Sequence, residues 1–231
     1  MKPIKRMVFL LNVDNYEPRV TEITYPLIKH YADKIGAQIF MIRERKFPDF
    51  PPVYEKLQIY ELAQKFQNDW NIYIDSDALV HPDFFDITHF LPKDTVCHNG
   101  KDVAPHRWRY DRFFHRDGRH IGSCNWFTIA SDWCVDLWHP LDDISKEEAI
   151  DRIYPTVGEM NGCTKKDHLI DDFTLSRNIA KYGLKFTTVM KIQEQCGYDP
   201  GKTGFLWHIY NVPEEQKVEQ MKKVLKLWGV A

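Results

Sequence analysis

The chain has 231 residues, of which 43% are hydrophobic and 14% aromatic, enough to bury roughly 70% of the unfolded surface around one core. Lys and Arg total 31 against 33 Asp and Glu, a net charge of −2, so no global field draws the protein onto nucleic acid or an anionic membrane, and phosphate recognition has to be local. The apolar run at 7–11 is too short for a signal core or a membrane span, and the five cysteines (Cys97, Cys124, Cys134, Cys163, Cys196) are widely spaced without a C-x-x-C; together these imply a soluble cytoplasmic protein with reduced thiols, not a disulfide framework or a zinc site.

Residues 7–13 read as a first strand, closed by the turn formers at 14–18. Val20, Ile23, Leu27, Tyr31 and Ile35 recur at helical spacing, with Pro26 a source of a kink and Gly36 at the C-cap. Residues 37–42 look like a second strand, 43–52 like a basic, proline-rich loop, and 53–66 like a helix. A third strand, 70–74, follows. This β-α-β-α-β alternation predicts an α/β fold with a Rossmann-like, mostly parallel central sheet flanked by helices. Beyond it, short strands are expected at 95–98, 125–130 and 184–189, and helices around 131–138, 145–153, 167–182 and 213–228. With no repeat or linker, the layout predicts one domain over 1–231, with a nucleotide-sized first half (1–80) and a loop-built second half (81–231).

The chemistry centres on residues 70–85, W-N-I-Y-I-D-S-D-A-L-V-H-P-D-F-F. A buried strand stops here at two carboxylates, Asp75 and Asp77. In open α/β sheets ligands bind at the carboxyl ends of strands. Carboxylates one residue apart repel unless a cation lies between them, and hard divalent ions take such oxygen ligands. A solvated turn with a capping aspartate gives the same bare pattern.

In this context the sequence resembles the GT-A fold glycosyltransferases, whose D-x-D motif sits in a stretch like Tyr73-Ile74-Asp75-Ser76-Asp77-Ala78-Leu79-Val80. The likeness extends to residues 9–16, to Tyr54-Glu55-Lys56-Leu57-Gln58 and to residues 122–130, and is strongest to small stand-alone members from bacteria and large viruses. Trp126 departs from it, standing where many relatives carry a small residue, which implies a different acceptor pocket. The resemblance implies Mn²⁺ or Mg²⁺ bridging a donor diphosphate, with Asp77 a ligand, Asp75 a ligand or a partner of metal-bound water and ribose, and Ser76 between them. It implies His208, in G-F-L-W-H-I-Y, as the third ligand; a core histidine is the equal alternative. Val13, Asp14 and Asn15 would meet base and ribose, Lys56 the diphosphate, and Arg43 is a further contact, although turn formers and a solvated lysine read the same way. Lys202, in G-K-T-G, either reaches a phosphate or occupies a surface turn; without an upstream glycine it is no P-loop.

If 167–182 is a helix, Asp172, Leu175 and Ile179 share its apolar face, and an acid there is costly unless it meets a cavity. The pattern resembles the acid pair of inverting GT-A enzymes, which makes Asp172 the base that deprotonates the acceptor, with Asp171 beside it. Partial burial beside a second acid raises a carboxyl pKa toward that task; favourable charge in a first helical turn is the alternative. The basic-aromatic stretch at 106–116 suits an acceptor lid, or simply a packed loop, better than single-stranded nucleic acid. In the last helix Val218, Met221, Val224, Leu225 and Trp228 alternate with Lys217, Lys222, Lys223 and Lys226, predicting a docked helix with a basic outer face that also suits weak membrane association.

The expected activity is metal-dependent transfer of a sugar from a nucleoside-diphosphate donor, UDP being the expected nucleotide, to a hydroxyl on a glycan or glycoconjugate, with inversion favoured. Two alternatives remain at this point: a haloacid-dehalogenase-type phosphatase and a nucleotide- or glycan-binding module without turnover.

Overall fold

A computed structural model describes residues 3–99, 126–153 and 165–230. The expected lid at 106–116, Cys124, Asn125 and Cys163 lie outside the described residues.

Strands β1 (Arg6–Leu11), β2 (Ala37–Ile42) and β3 (Trp70–Asp75) are linked by helices α1 (Pro18–Lys34) and α2 (Ile59–Phe66). Three further strands, β5 (Thr95–His98), β6 (Phe127–Ser131) and β7 (Lys185–Thr188), complete a six-stranded sheet of order β2-β1-β3-β6-β5-β7. All its neighbouring pairs are parallel except those made by β6. The mostly parallel sheet is therefore present, with one reversed strand inside it.

The strands form because both sheet faces are covered. Along β1 and β3, side chains alternate by two: Met7, Phe9 and Tyr73 enter one core with Trp138 and Phe173, whereas Val8, Leu10, Ile72 and Ile74 enter the other with Phe84 and Phe127. Near-continuous apolar runs are what such doubly covered strands require. Phe84 is fully buried against Tyr31, Phe127 and Phe205. Phe84→Ala is expected to cost about 3–5 kcal/mol, read as a lower denaturant midpoint with an unchanged slope.

The remaining helices are α3 (Lys146–Asp151), α4 (Ile170–Lys181), α5 (Val189–Gln195) and α6 (Glu214–Trp228). Helix α3 starts on a capping box in which Ser145 and Glu148 satisfy each other's backbone N–H groups. Three expected helices are shortened or replaced by 3-10 turns: Pro52–Gln58 precedes α2, Lys166–Leu169 precedes α4, and Asp132–Trp138 is 3-10 throughout, kinked at Cys134. Pro51 and Pro52 hold the first of these entries extended. Helix α5 was not expected; it is capped by the Thr188 hydroxyl, which accepts from the Lys191 N–H at 3.2 Å.

Two short strands escape the periodicity altogether. β4 (Ala78–Val80) and β8 (Leu206–His208) form an antiparallel ribbon with Ala78 opposite His208. Three residues are too few to show a period. Helix α6 docks on α1 through Val20, Leu27, Leu79, Ile209, Val218, Met221 and Val224. Among the described residues no helix is long and apolar enough to cross a membrane, and Cys97, Cys134 and Cys196 are free thiols.

Candidate active site

Registers set the position of the site. Leu11 of β1 lies opposite both Ile42 of β2 and Asp75 of β3, so the segments leaving the three strands emerge at one sheet edge. The chain passes from β1 to β2 on one side and returns to β3 on the other. In open α/β sheets ligands bind at such a reversal, which here lies at the carboxyl ends of β1 and β3.

At this edge Val13 is buried while Asp14 and Asn15 are exposed. Asp14, Asn15 and Glu17 hold φ values of 58, 52 and 46°, with Tyr16 between them at −59°; left-handed L-residues of this kind carry a cost and gather at ligand-binding loops. Arg43 is exposed just past β2. The loop after it is anchored by Glu55, a fully buried carboxylate that accepts from Arg45 Nε at 2.8 Å, from the Lys46 and Phe47 N–H groups at 2.9 Å, and from Gln58 Nε2 at 2.7 Å. Glu55→Ala would leave these donors unanswered and is expected to lower stability by roughly 3 kcal/mol, measurable by urea unfolding.

The acid pair straddles the end of β3, with Asp75 its last residue and Asp77 two further on. Asp75 Oδ1 accepts from the Tyr73 hydroxyl, two residues back on the same strand face. Buried Ser76 contributes its carbonyl, which accepts from Thr24 of α1. The β4–β8 ribbon then carries His208 to the acids: its Nε2 is 3.0 Å from Asp77 Oδ1 and 3.7 Å from Asp75 Oδ2. One atom from each of Asp75, Asp77 and His208 lies within 4.8 Å of the others. Two carboxylate oxygens and an imidazole nitrogen form a donor set for a divalent cation. The His208 ring is stacked between Trp126, at 4.9 Å and 18°, and Tyr210, at 5.3 Å and 26°. Trp126 thus packs on the imidazole of this cluster.

Two buried lysines complete the surroundings. Lys56, in the 3-10 turn before α2, is 2.6 Å from Asp171 and 3.6 Å from Asp75, with its ammonium 4.7 Å from the centre of the Tyr73 ring. Burial alone would lower its pKa, but Asp171 and Asp75 reverse the shift and hold it charged. Lys217 corrects an expectation. Placed by periodicity on a solvated outer face, it is buried, 2.7 Å from both Asp77 and Glu17. Those two carboxylates supply the compensation that a buried ammonium needs. Lys222, Lys223 and Lys226 are exposed. Burial raises the Asp77 pKa less than His208 and Lys217 lower it, so its carboxyl sits well below the ordinary range.

Asp171 and Asp172 open α4, and neither is exposed, at 3% and 1%. The first turns of α4 are buried all round, so the expected distinction between an apolar and a polar face does not apply there. Burial pushes the Asp171 carboxyl up against the opposing pull of Lys56. Lys202 is not brought to the cluster: it is exposed in a turn beyond the far end of β8, 3.4 Å from Asp199. Glu17 and Lys217 were missed as site residues. Nothing local marks them, since Lys217 reaches Asp77, and Glu17 reaches Lys217, across sequence separations set by tertiary packing.

No protein-family profile and no curated protein matches the sequence. Solved structures do. A glycosyltransferase involved in glycosylation of the major capsid of PBCV-1 is similar over 96% of this chain and 100% of its own, with a TM-score of 0.51 and 12% identity. The galactosyltransferase LgtC, solved with donor and acceptor sugar analogues, is similar over 94% of this chain and 95% of its own, also with a TM-score of 0.51 and 12% identity. The chain has the GT-A glycosyltransferase fold. In this fold Asp75 ends β3, Asp77 follows it, and β4 and β8 form a ribbon beside them.

Proposed function

We propose that the protein is a metal-dependent glycosyltransferase that moves a sugar from a nucleoside-diphosphate donor, with UDP the expected nucleotide, to a hydroxyl of a glycan or glycoconjugate. The observation that carries this reading is the convergence of Asp75, Asp77 and His208 at the strand edge where a GT-A fold would receive its donor. These residues would hold Mn²⁺ or Mg²⁺. When bound, the ion would supply Lewis-acid neutralisation of charge on the leaving diphosphate.

The chain's own residues divide the rest. The exposed Asp14 and Asn15, with buried Val13 behind them, suit contacts to base and ribose, and Arg43 stands at the same edge. Lys56, held by Asp171, keeps positive charge beneath Asp75 and orients that carboxylate together with Tyr73. Asp172 would accept the acceptor's hydroxyl proton. The freed oxygen would then attack the anomeric carbon from the face opposite the diphosphate, whose bond to that carbon breaks with inversion. In this reading residues 1–80 bind nucleotide and 81–231 bind acceptor within one domain, in the cytoplasm.

The fold speaks against a haloacid-dehalogenase-type phosphatase. Here the acid pair follows the third strand and faces an imidazole, whereas that reading wants it after the first. Calorimetry with a panel of nucleotide sugars tests the proposal: tight binding is expected with Mn²⁺ and loss of it with EDTA. Metal-independent binding, or none, would overturn it, and cleavage of p-nitrophenyl phosphate would revive the phosphatase.

A further inference from the structure

The Lys217 ammonium is enclosed by acidic and aromatic groups. Its Nζ is 2.7 Å from Asp77 Oδ2 and 2.7 Å from Glu17 Oε2, and lies 5.6 Å from the centre of the Tyr16 ring. The side chain is 4% exposed. The second Asp77 oxygen faces His208 Nε2 at 3.0 Å, so both oxygens of this carboxylate have polar neighbours within the protein. Glu17 belongs to the left-handed stretch before α1. The two helices that bring Glu17 and Lys217 together are further tied where the Arg19 N–H donates to Glu214 at 3.0 Å.

We propose that the Glu17–Lys217 pair sets how strongly the acid cluster takes a divalent ion alone, and so couples loading of the ion to binding of the donor diphosphate. This rests on the metal reading given above. The physical reason is a fixed positive charge one carboxylate away from the ion's position. It repels a lone dication and attracts the diphosphate that arrives with it, while Glu17 offsets part of that charge. At the effective dielectric of a part-buried site, one unit charge at such a distance changes affinity on the order of tenfold or more. Lys217 is in this sense a positioning residue for the metal and donor. Its charge, not its bulk, is the active property.

The two partners are therefore expected to act with opposite sign. In Mn²⁺ titrations followed by electron paramagnetic resonance of the free ion, Lys217→Met and Lys217→Gln should each bind Mn²⁺ alone more tightly than the parent, on the order of tenfold. They should also lose most of the gain in Mn²⁺ affinity that UDP produces in the parent. Glu17→Gln, which leaves the Lys217 charge to Asp77, should weaken Mn²⁺ binding without UDP. A merely structural pair would weaken binding in all three proteins. Melting curves establish that each variant is folded, and Lys217→Gln, which can still hydrogen-bond both carboxylates, serves if Lys217→Met does not fold. Unchanged or weaker Mn²⁺ binding by a folded charge-removing variant overturns the inference while leaving the metal site standing. Failure of the parent to bind Mn²⁺ even with UDP overturns the metal site itself, and the inference with it.

Discussion

Asp77→Asn is expected to lower sugar transfer by roughly 10³-fold and to remove measurable Mn²⁺ binding. Asn keeps the size of the side chain and an oxygen that can face His208 Nε2, which lies 3.0 Å from Asp77 Oδ1. What it removes is the charge. Lys217 retains Glu17 at 2.7 Å as a counter-ion, so the ammonium is not stranded by the substitution. The loss of one charge-assisted hydrogen bond sets the stability cost at about 2 kcal/mol. A steady-state assay, an Mn²⁺ titration and urea unfolding on the same preparation separate the effects. Near-parental turnover by the variant would sink the assignment of Asp77 as a metal ligand. A collapse of stability with residual metal binding would instead make Asp77 a structural residue held between the lysine and the histidine.

Asp172→Asn is the second large effect. A positioned general base contributes about 10²–10⁴-fold, so turnover should fall by that factor while donor affinity, read by calorimetry, stays within twofold or so of the parent, as follows for a group that acts on the acceptor proton alone. Asp171→Asn should behave differently. Asp171 is 2.6 Å from the buried Lys56 ammonium, which is also 3.6 Å from Asp75. Neutralising Asp171 leaves that ammonium to Asp75, and donor binding should weaken before turnover does. Removing one partner of a buried pair also costs about 3–5 kcal/mol, so the melting temperature should drop more in this variant than in Asp172→Asn. The opposite pattern, with turnover lost only in Asp171→Asn and donor binding intact, would move the base to Asp171.

The strand ending in acid is legible from residues alone. Trp70 to Ile74 form a near-continuous apolar run, broken at Asn71, because β3 is buried on both faces, and that run stops at Asp75. The β-α-β-α-β alternation is equally local, and so is the short strand Thr95–His98. The Ser145 capping box and the apolar stripe of the last helix also follow from neighbours within one or two turns. Where expectation and structure part, the reason is length or environment. Strands of three residues, such as β4 and β8, carry no period. The start of α4 is buried throughout, so its apolar spacing does not say which acid faces the site.

Periodicity misassigns Lys217 for a related reason. Spacing ranks a helix position by the company it keeps along one element, whereas burial of a charge depends on what faces it from others. His208 meets Asp77 across 131 residues, Lys217 meets Asp77 across 140 and Glu17 across 200. The amino-acid order therefore specifies the β-α-β-α-β alternation, a mostly parallel sheet and the carboxylates at the end of β3, since these follow from local burial and spacing; the strand order, with its reversal between β1 and β3, is read from the structure. The meeting of His208 with the two carboxylates comes from the Ala78–His208 register, Lys217 arrives by the docking of α6 on α1, and Lys56 is brought by the 3-10 turn before α2. Those are long-range packing choices, and the same acid-tipped strand without them would be a solvated turn.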